Sequence, residues 1–278
     1  MTATLTRLTA LPGVAGAIDA ARDACTQLRW HGALRRRVPE VAAESRVRGA
    51  RASAFLEGAE FPVDLVRDVI RGATPLSHDG PEERVLHGAI QATSVTEQLA
   101  SVVLSAPAQA LARLHTAAAA DLAGAEQLGR PRLAAETASE LRDLGAVPDA
   151  AAAQGRLRGV IELIANSKDE PGILVAAIAH AEIASARPFV HGNAVVARAL
   201  ERLLLQVLGV EPTGAIVSEA GYSRQGAVAY QGALAAYTTG SPEGVALWLR
   251  HYAEAVVAGV AEATSIADAV LAGRLTAP

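Results

Sequence analysis

Short stretches containing glycine and proline divide this chain into segments of helical length. They occur at residues 11–13, 71–75, 79–81, 129–131, 147–149, 170–172 and 240–242. Between them alanine, leucine and arginine favour helices, whereas runs of β-branched residues are short and scattered. Most of the chain is therefore predicted to be helical. Leu141 to Pro148 is the one stretch that resembles a strand pair, and a short β-hairpin flap is expected there.

The pattern predicts an all-α fold built as one bundle. A chain of 278 residues fits one large domain, and none of its loops is long enough to act as a linker between two. We expect residues 1–44 to form an N-terminal helical arm and residues 45–278 to form the main domain.

Composition excludes several classes of protein. Hydrophobic residues make up 51% and charged residues 19%, which excludes a disordered chain. The single cysteine, Cys25, excludes an internal disulfide and fits a reducing compartment. A net charge of −4 and 3% aromatic residues argue against nucleic acid as a partner.

The longest apolar stretch also argues against a membrane. Residues 172–181 are too few to span a bilayer, which needs about 20 apolar residues, and they include His180. The first residues do not have the basic start and apolar core of a secretory signal. A cytoplasmic protein is therefore expected.

The stretch from His180 to Arg198 carries the most chemical information. Pro188 is expected to end one helix, because proline disfavours a helical residue before it. Gly192 and Asn193 are expected to open the next helix, with the asparagine as N-cap. A helix start of this kind exposes backbone N–H groups to a phosphate, and Arg198 lies within reach of it. The alternative is an ordinary helix–loop–helix corner with a buried phenylalanine.

The same residues resemble the signature of the Fic (Fido) family, H-P-F-x-[D/E]-G-N-G-R-x-x-R. Residues 187–198 read RPFVHGNAVVAR, and residues 180–183 match the family's lead-in H-A-x-[FIL]. Leu114-His115, Tyr230 with Leu234, and Trp248 match weaker family positions in the same order. The resemblance runs from about residue 45 to residue 260 and implies a Fic-like helical bundle for the main domain, with its core motif at 180–198.

Family members typically transfer AMP from ATP to a hydroxyl group of a protein. The resemblance implies that the residue at position 187 is the general base and that the residue at 191 holds Mg²⁺. It also implies that Gly192, Asn193 and Ala194 cradle phosphates together with Arg198. Tyr230 belongs to the same candidate nucleotide site. ATP, or another phosphate-containing compound, is therefore the ligand that the resemblance implies.

This sequence departs from the family at the positions that do the chemistry. Arg187 replaces the base and stays protonated near neutral pH. His191 replaces the acidic metal ligand, so Mg²⁺ is not expected. Ala194 replaces a glycine and Val195 replaces an arginine. His191 could act as a substitute base, but a partly exposed loop histidine is the preferred interpretation. His180 and His115 are interpreted as core histidines.

Residues 53–58, SAFLEG, fit the family's inhibitory pattern [S/T]-x-x-x-E-[G/N]. Ser53 and Glu57 are four residues apart and share one face of a helix, which we place around residues 48–60. In Fic proteins with this motif the glutamate pairs with the second motif arginine and blocks ATP. Here that arginine is Arg198. The alternative is a chance match of a short pattern.

Three functions remain open. The sequence favours a degenerate Fic protein without AMP transferase activity that binds or regulates a protein partner. One alternative is an enzyme with altered chemistry that transfers AMP or another phosphate-containing group. The other is a structural helical protein that binds partners or a second copy of itself. No resident cofactor is assigned, and the spacing of histidines and cysteine predicts no metal site.

Overall fold

A computed structural model describes residues 2–276 of the chain. This part is helical and contains no β-strand. Its α-helices are α1 (Thr2–Leu8), α2 (Val14–Leu28), α3 (Val38–Leu56), α4 (Val63–Ile70), α5 (Pro81–Leu99), α6 (Pro107–Ala119), α7 (Ala150–Ala165), α8 (Gly172–Ala186), α9 (Asn193–Val207), α10 (Ser218–Gln225), α11 (Ala227–Thr238) and α12 (Pro242–Leu271). The all-α prediction is confirmed.

Helices α8 and α9 form the centre of the bundle. Apolar residues cover every face of α8, and a helix of that kind is stable only when neighbours surround it. Helices α7, α9 and α11 all pack against it. Helix α9 is buried along most of its length, including the charged residues Arg198, Glu201 and Arg202. The predicted core motif therefore lies in the middle of the protein.

The N-terminal residues pack against the longest helix. Helix α2 packs against α12. The buried residues of α2 include Val14, Ile18, Ala21 and Cys25. Helix α12 begins with Ser241 as N-cap, whose hydroxyl accepts the Gly244 N–H, and with proline at its first position. The boundary between an arm of residues 1–44 and a main domain stays a prediction.

The expected β-hairpin flap at Leu141 to Pro148 is wrong. This stretch contains a single 3₁₀ turn at Arg142–Leu144, flanked by Leu141 and Gly145, whose φ angles are both positive. The carbonyls of Leu141, Gly145 and Ala146 accept hydrogen bonds from the side chain of Arg187 instead of pairing with another strand. A guanidinium thus takes the acceptors that a hairpin would need.

Residues 129–149, which we call the cover segment, lie over the loop between α8 and α9. The N–H of Arg132 donates to Pro188 O at 2.8 Å, and the N–H of Ser139 donates to Val190 O at 3.4 Å.

Within residues 2–276 no helix combines the length and apolar content that a membrane span requires.

Candidate functional site

The loop between α8 and α9 turns sharply at both ends. Arg187 caps α8 in the left-handed conformation, with φ 49°, and Gly192 caps α9 with φ 78°. The prediction that Asn193 is the N-cap is therefore off by one residue. Asn193 is the first residue of α9, and its carboxamide bonds to both the N–H and the carbonyl of Phe189. It closes the loop and leaves glycine to make the left-handed turn.

Arg187, the residue at the base position, points into the cover segment. Its guanidinium is buried and donates to the carbonyls of Leu141, Gly145 and Ala146 at 2.8–3.2 Å. Burial, followed by the nearby charge of Arg132, lowers the pKa of Arg187, but a guanidinium with these acceptors remains a cation. Arg187 therefore holds the cover segment and has no lone pair with which to accept a proton.

The N-terminus of α9 binds a carboxylate that belongs to the same chain. Glu140 of the cover segment accepts the Gly192 N–H at 2.8 Å and the Asn193 side-chain N–H at 2.7 Å, and it also accepts the Asn193 backbone N–H. These are the donors that a helix start offers to an anion. The glycine–asparagine turn thus donates to a carboxyl group of the same chain, and phosphate binding at this turn stays a prediction.

The surroundings of the Glu140 carboxyl shift its pKa in two opposite directions. Burial, and then the nearby Glu57 carboxylate, raise its pKa to about 7, although hydrogen bonds from Asn193 and Gly192 act in the opposite direction. Glu140 contacts the motif at Gly192 and Asn193, whereas Glu57 contacts it at Arg198. We call the space between the start of α9, Arg198 and Glu57 the motif pocket. It already holds two acidic side chains, Glu140 and Glu57, which oppose the entry of a third negative group.

His191 faces Ser139 of the cover segment. Its Nδ1 lies 2.9 Å from the Ser139 hydroxyl, and burial lowers its pKa, which favours the neutral imidazole. The residues present do not fit Mg²⁺. An imidazole is a poor ligand for that ion, and the nearby Glu140 oxygens accept N–H groups.

Arg198 is buried and bonded on several sides by α3 and α11. It donates through Nε to Ser53 Oγ at 2.9 Å, through Nη2 to Ser53 O at 3.0 Å, and through Nη2 to Glu57 at 2.9 Å. The predicted contact between Arg198 and Glu57 is therefore present. The helix runs from Val38 to Leu56, earlier than the predicted range around 48–60, and Glu57 is its C-cap.

Gly58 ends this helix in a way that places Glu57. Its φ is +88°, its N–H donates to Phe55 O, and the following Ala59 N–H donates to Ala54 O. This pair of bonds is a Schellman motif, which favours glycine at the left-handed position. The glycine of the SAFLEG pattern therefore has a physical reason: it stops the helix directly after the glutamate.

His180 and His115 are core histidines, as predicted. His180 on α8 pairs with Glu201 through Nδ1 and lies 2.8 Å from the Tyr230 hydroxyl through Nε2. Tyr230, placed by sequence in the nucleotide site, is buried, and Arg198 donates to its hydroxyl at 3.4 Å. His115 on α6 stacks on Phe189, with ring centroids 4.0 Å apart, and burial lowers its pKa to about 4.

Sequence reasoning missed Glu140. It lies about 50 residues before the motif, in a loop with no pattern of its own, and only the fold brings it to Gly192. The sequence offered only an indirect signal. The motif keeps its glycine–asparagine turn but lacks the family's histidine, acidic residue and first arginine. The N–H groups of that turn still need a hydrogen-bond acceptor. Ala194, the remaining predicted residue, is buried in the first turn of α9.

Comparison with known proteins agrees with this geometry. Residues 105–205 match the family model for the Fic/DOC family. That range holds α6, the cover segment, α8 and nearly all of α9. No curated protein matches the sequence at a significant level.

Solved structures show the same fold over almost the whole chain. A Fic family protein from Desulfovibrio desulfuricans G20 is 21% identical, with a TM-score of 0.73 over 91% of this chain and 74% of that one. Residues 134–508 of Fic-1 from C. elegans are 17% identical, with a TM-score of 0.63 over 95% of this chain and 74% of that one. A Fic domain containing signaling protein from Bacteroides thetaiotaomicron is 12% identical, with a TM-score of 0.59 over 91% and 98%. The family-model match thus identifies a Fic domain at residues 105–205, and the solved structures show that almost the whole chain shares the fold of these proteins.

Proposed function

We propose that this protein does not transfer AMP and instead acts as a binding or regulatory module on a Fic scaffold. The observation that carries the proposal is the Glu140 carboxylate, which occupies the N-terminus of α9 where the resemblance places phosphates. A nucleotide phosphate would have to displace it from three N–H donors in a partly buried site.

Arg187 at the base position and Arg198 at the second arginine position support the same proposal. Arg187 donates through its two terminal nitrogens to carbonyls of the cover segment, and Arg198 donates to Ser53, Glu57 and Tyr230. His191 is the remaining imidazole in the motif loop, and it is engaged with Ser139. The motif therefore has neither a free cation for phosphate charge nor an unengaged base for a hydroxyl.

The proposed module responds to ligands through the cover segment. Glu140 and the carbonyls bonded to Arg187 lie on one continuous stretch, residues 140–146. An anion that replaces Glu140 at Gly192 would release one end of this stretch. Movement of the cover segment would then change the surface that faces a protein partner, which is how binding at the motif would be communicated.

The test measures ATP binding and AMP transfer in parallel. Calorimetric titration of ATP, with and without Mg²⁺, is carried out on wild type, Glu57→Gly, Glu140→Ala and the double variant. We expect no heat of binding for wild type and measurable binding for the double variant, because both acidic side chains then leave the pocket. Glu136→Ala is the matched control, since Glu136 lies on the cover segment but pairs with Arg130.

Transfer of labelled AMP to the protein itself or to a test substrate is measured on the same variants, with Arg198→Ala as background. We expect no variant to exceed that background. Transfer by wild type above the Arg198→Ala level would contradict the proposal. Binding of ATP by wild type as tight as by the double variant would show that Glu140 and Glu57 do not block the pocket.

A further inference from the structure

Two histidines and an aspartate from three separate segments meet at the surface between α5 and α6. His78 lies in the loop 71–80, His87 lies in the second turn of α5, and Asp121 follows the C-cap of α6. Nδ1 of His78 is 2.7 Å from Asp121 Oδ2, and Nδ1 of His87 is 2.6 Å from the same oxygen. The two rings pack edge to face with centroids 4.5 Å apart.

These three side chains present a donor set that suits a transition-metal dication. Their potential ligand atoms all lie within 4.8 Å of one another. With metal–ligand bonds of about 2.0–2.2 Å in a tetrahedral site, ligand atoms lie roughly 3.3 Å apart. The two short contacts would therefore widen by about 0.6–0.7 Å as a metal replaces the two ring protons. Two imidazoles and one carboxylate favour zinc and its neighbours over Mg²⁺ or Ca²⁺.

The surroundings provide both support and access. Gln91, one turn after His87, contacts the outer nitrogen of that ring at 3.1 Å and can rotate its amide to accept an N–H when Nδ1 binds a metal. His78 is held by its loop, where Arg84 donates to the carbonyl of Asp79 at 3.2 Å. The His78 side chain is 49% exposed, so an ion and water can reach the cluster from solvent.

We propose that His78, His87 and Asp121 form a zinc-class metal site, with the fourth position open to water. The site is separate from the motif pocket and does not depend on the proposed function. Bound metal would join the loop 71–80 to α5 and to the end of α6. The metal would thereby fix the end of α6, the helix whose Ala118 lies next to Gly192 of the motif. Sequence spacing hides this site because each ligand comes from a different segment.

The experiment uses the full chain after dialysis against a chelator. ZnCl₂ is titrated by calorimetry, and CoCl₂ is titrated while its visible absorption is recorded, because that absorption reports coordination number and ligand type. The ligand variants are His78→Ala, His87→Ala and Asp121→Asn. His31→Ala is the matched control, since His31 contacts Asp268 at 3.1 Å as another surface histidine–aspartate pair without a second histidine.

We expect wild type and His31→Ala to bind one equivalent of Zn²⁺ and to give the same Co²⁺ spectrum. Each ligand variant should bind at least about 10–100-fold more weakly, the range found when even an outer-shell partner is removed. Circular dichroism of the variants checks folding, and His78→Ala changes a side chain that is 49% exposed. Absence of binding by wild type, or equal affinity in wild type and all three ligand variants, would overturn the proposal.

Discussion

Arg198 and Arg202 lie one turn apart on α9, both are buried, and both pair with a glutamate. Arg202 makes two bonds to Glu219, at 2.8 and 2.9 Å, and a third to the Ser45 hydroxyl. Arg198 makes one bond to Glu57, whose side chain is 16% exposed, whereas the Glu219 side chain is 1% exposed. Helix α9 therefore has one arginine–glutamate pair inside the core and one at the edge of the motif pocket.

The difference indicates what each pair does. A fully buried, two-bonded pair cannot be opened without leaving a charge in the core, so Arg202 and Glu219 hold α9, α10 and α3 together. A pair with a single bond to a partly exposed glutamate can exchange that partner at smaller cost. Arg198 also keeps Ser53 and Tyr230 when Glu57 leaves. Of these two pairs, we expect the Arg198 pair to open at the smaller cost.

The largest effect is expected for the core pair. Glu219→Ala leaves Arg202 buried with its charge uncompensated and should lower the free energy of unfolding by about 3–5 kcal/mol. Urea denaturation followed by circular dichroism measures the loss. Glu97→Ala is the control, because Glu97 is 71% exposed and faces Arg46 at 3.7 Å, and it should change stability by about 1 kcal/mol or less. Similar losses in both variants would remove the distinction between the pairs.

Space around the core pair gives the second test. A Cβ on Gly49 of α3 would lie 2.4 Å from Arg202 Nη2 and 3.3 Å from Glu219 Cδ. Gly49→Ala should therefore lower the free energy of unfolding by about 1–3 kcal/mol, as overpacking does. Gly16→Ala on the exposed face of α2 meets nothing within 4 Å and should instead raise it by about 0.5–1 kcal/mol. A stabilising Gly49→Ala would show that the Arg202 side chain moves freely.

The pocket pair should be weaker. Glu57→Ala removes one hydrogen bond from Arg198 and leaves three, so the expected loss in unfolding free energy is about 1.5 kcal/mol, the lower end for a bond to a charged group. Glu60→Ala, an exposed glutamate in the same loop, should change it by less than about 0.5 kcal/mol. If Glu57→Ala lowers the free energy of unfolding as much as Glu219→Ala does, the two pairs contribute equally to stability and the comparison fails.

The last comparison concerns pH. The pKa of Glu140 is raised from an ordinary 4.5 to about 7, so between these values the folded protein holds a proton that the unfolded chain has released. This contribution is present in full below about pH 4.5 and is lost as pH rises through about 7. Glu140→Gln should therefore gain Tm relative to wild type as pH rises across that window, measured by thermal melts.

Glu136→Gln is the control for the pH experiment. Its pairing with Arg130 lowers the pKa of Glu136 to about 2, so its contribution changes on the acid side of the window. Its Tm difference from wild type should be nearly constant toward pH 7. If the Tm difference for Glu140→Gln is also constant, the pKa of Glu140 in the folded protein is not raised.

Much of the fold could be predicted from the sequence, because helix propensity and Gly/Pro punctuation act locally. The Pro81 and Pro242 starts each follow from one residue's backbone restriction. The contact between Glu57 and Arg198 was also predicted, since both residues lie in motifs whose spacing carries the information. The hairpin prediction failed because the carbonyls of residues 141–146 bond to a distant guanidinium.

The sequence by itself determined that this chain is helical, that its motif lacks the family's base and acidic ligand, and that a helix start suited to an anion is present. Only the tertiary structure decided which groups fill that start. Glu140 at Gly192, Arg187 under the cover segment and the meeting of His78 with His87 and Asp121 are contacts between residues far apart in the chain. Local propensity carries no information about them, because burial and packing choose each partner only after the helices have assembled.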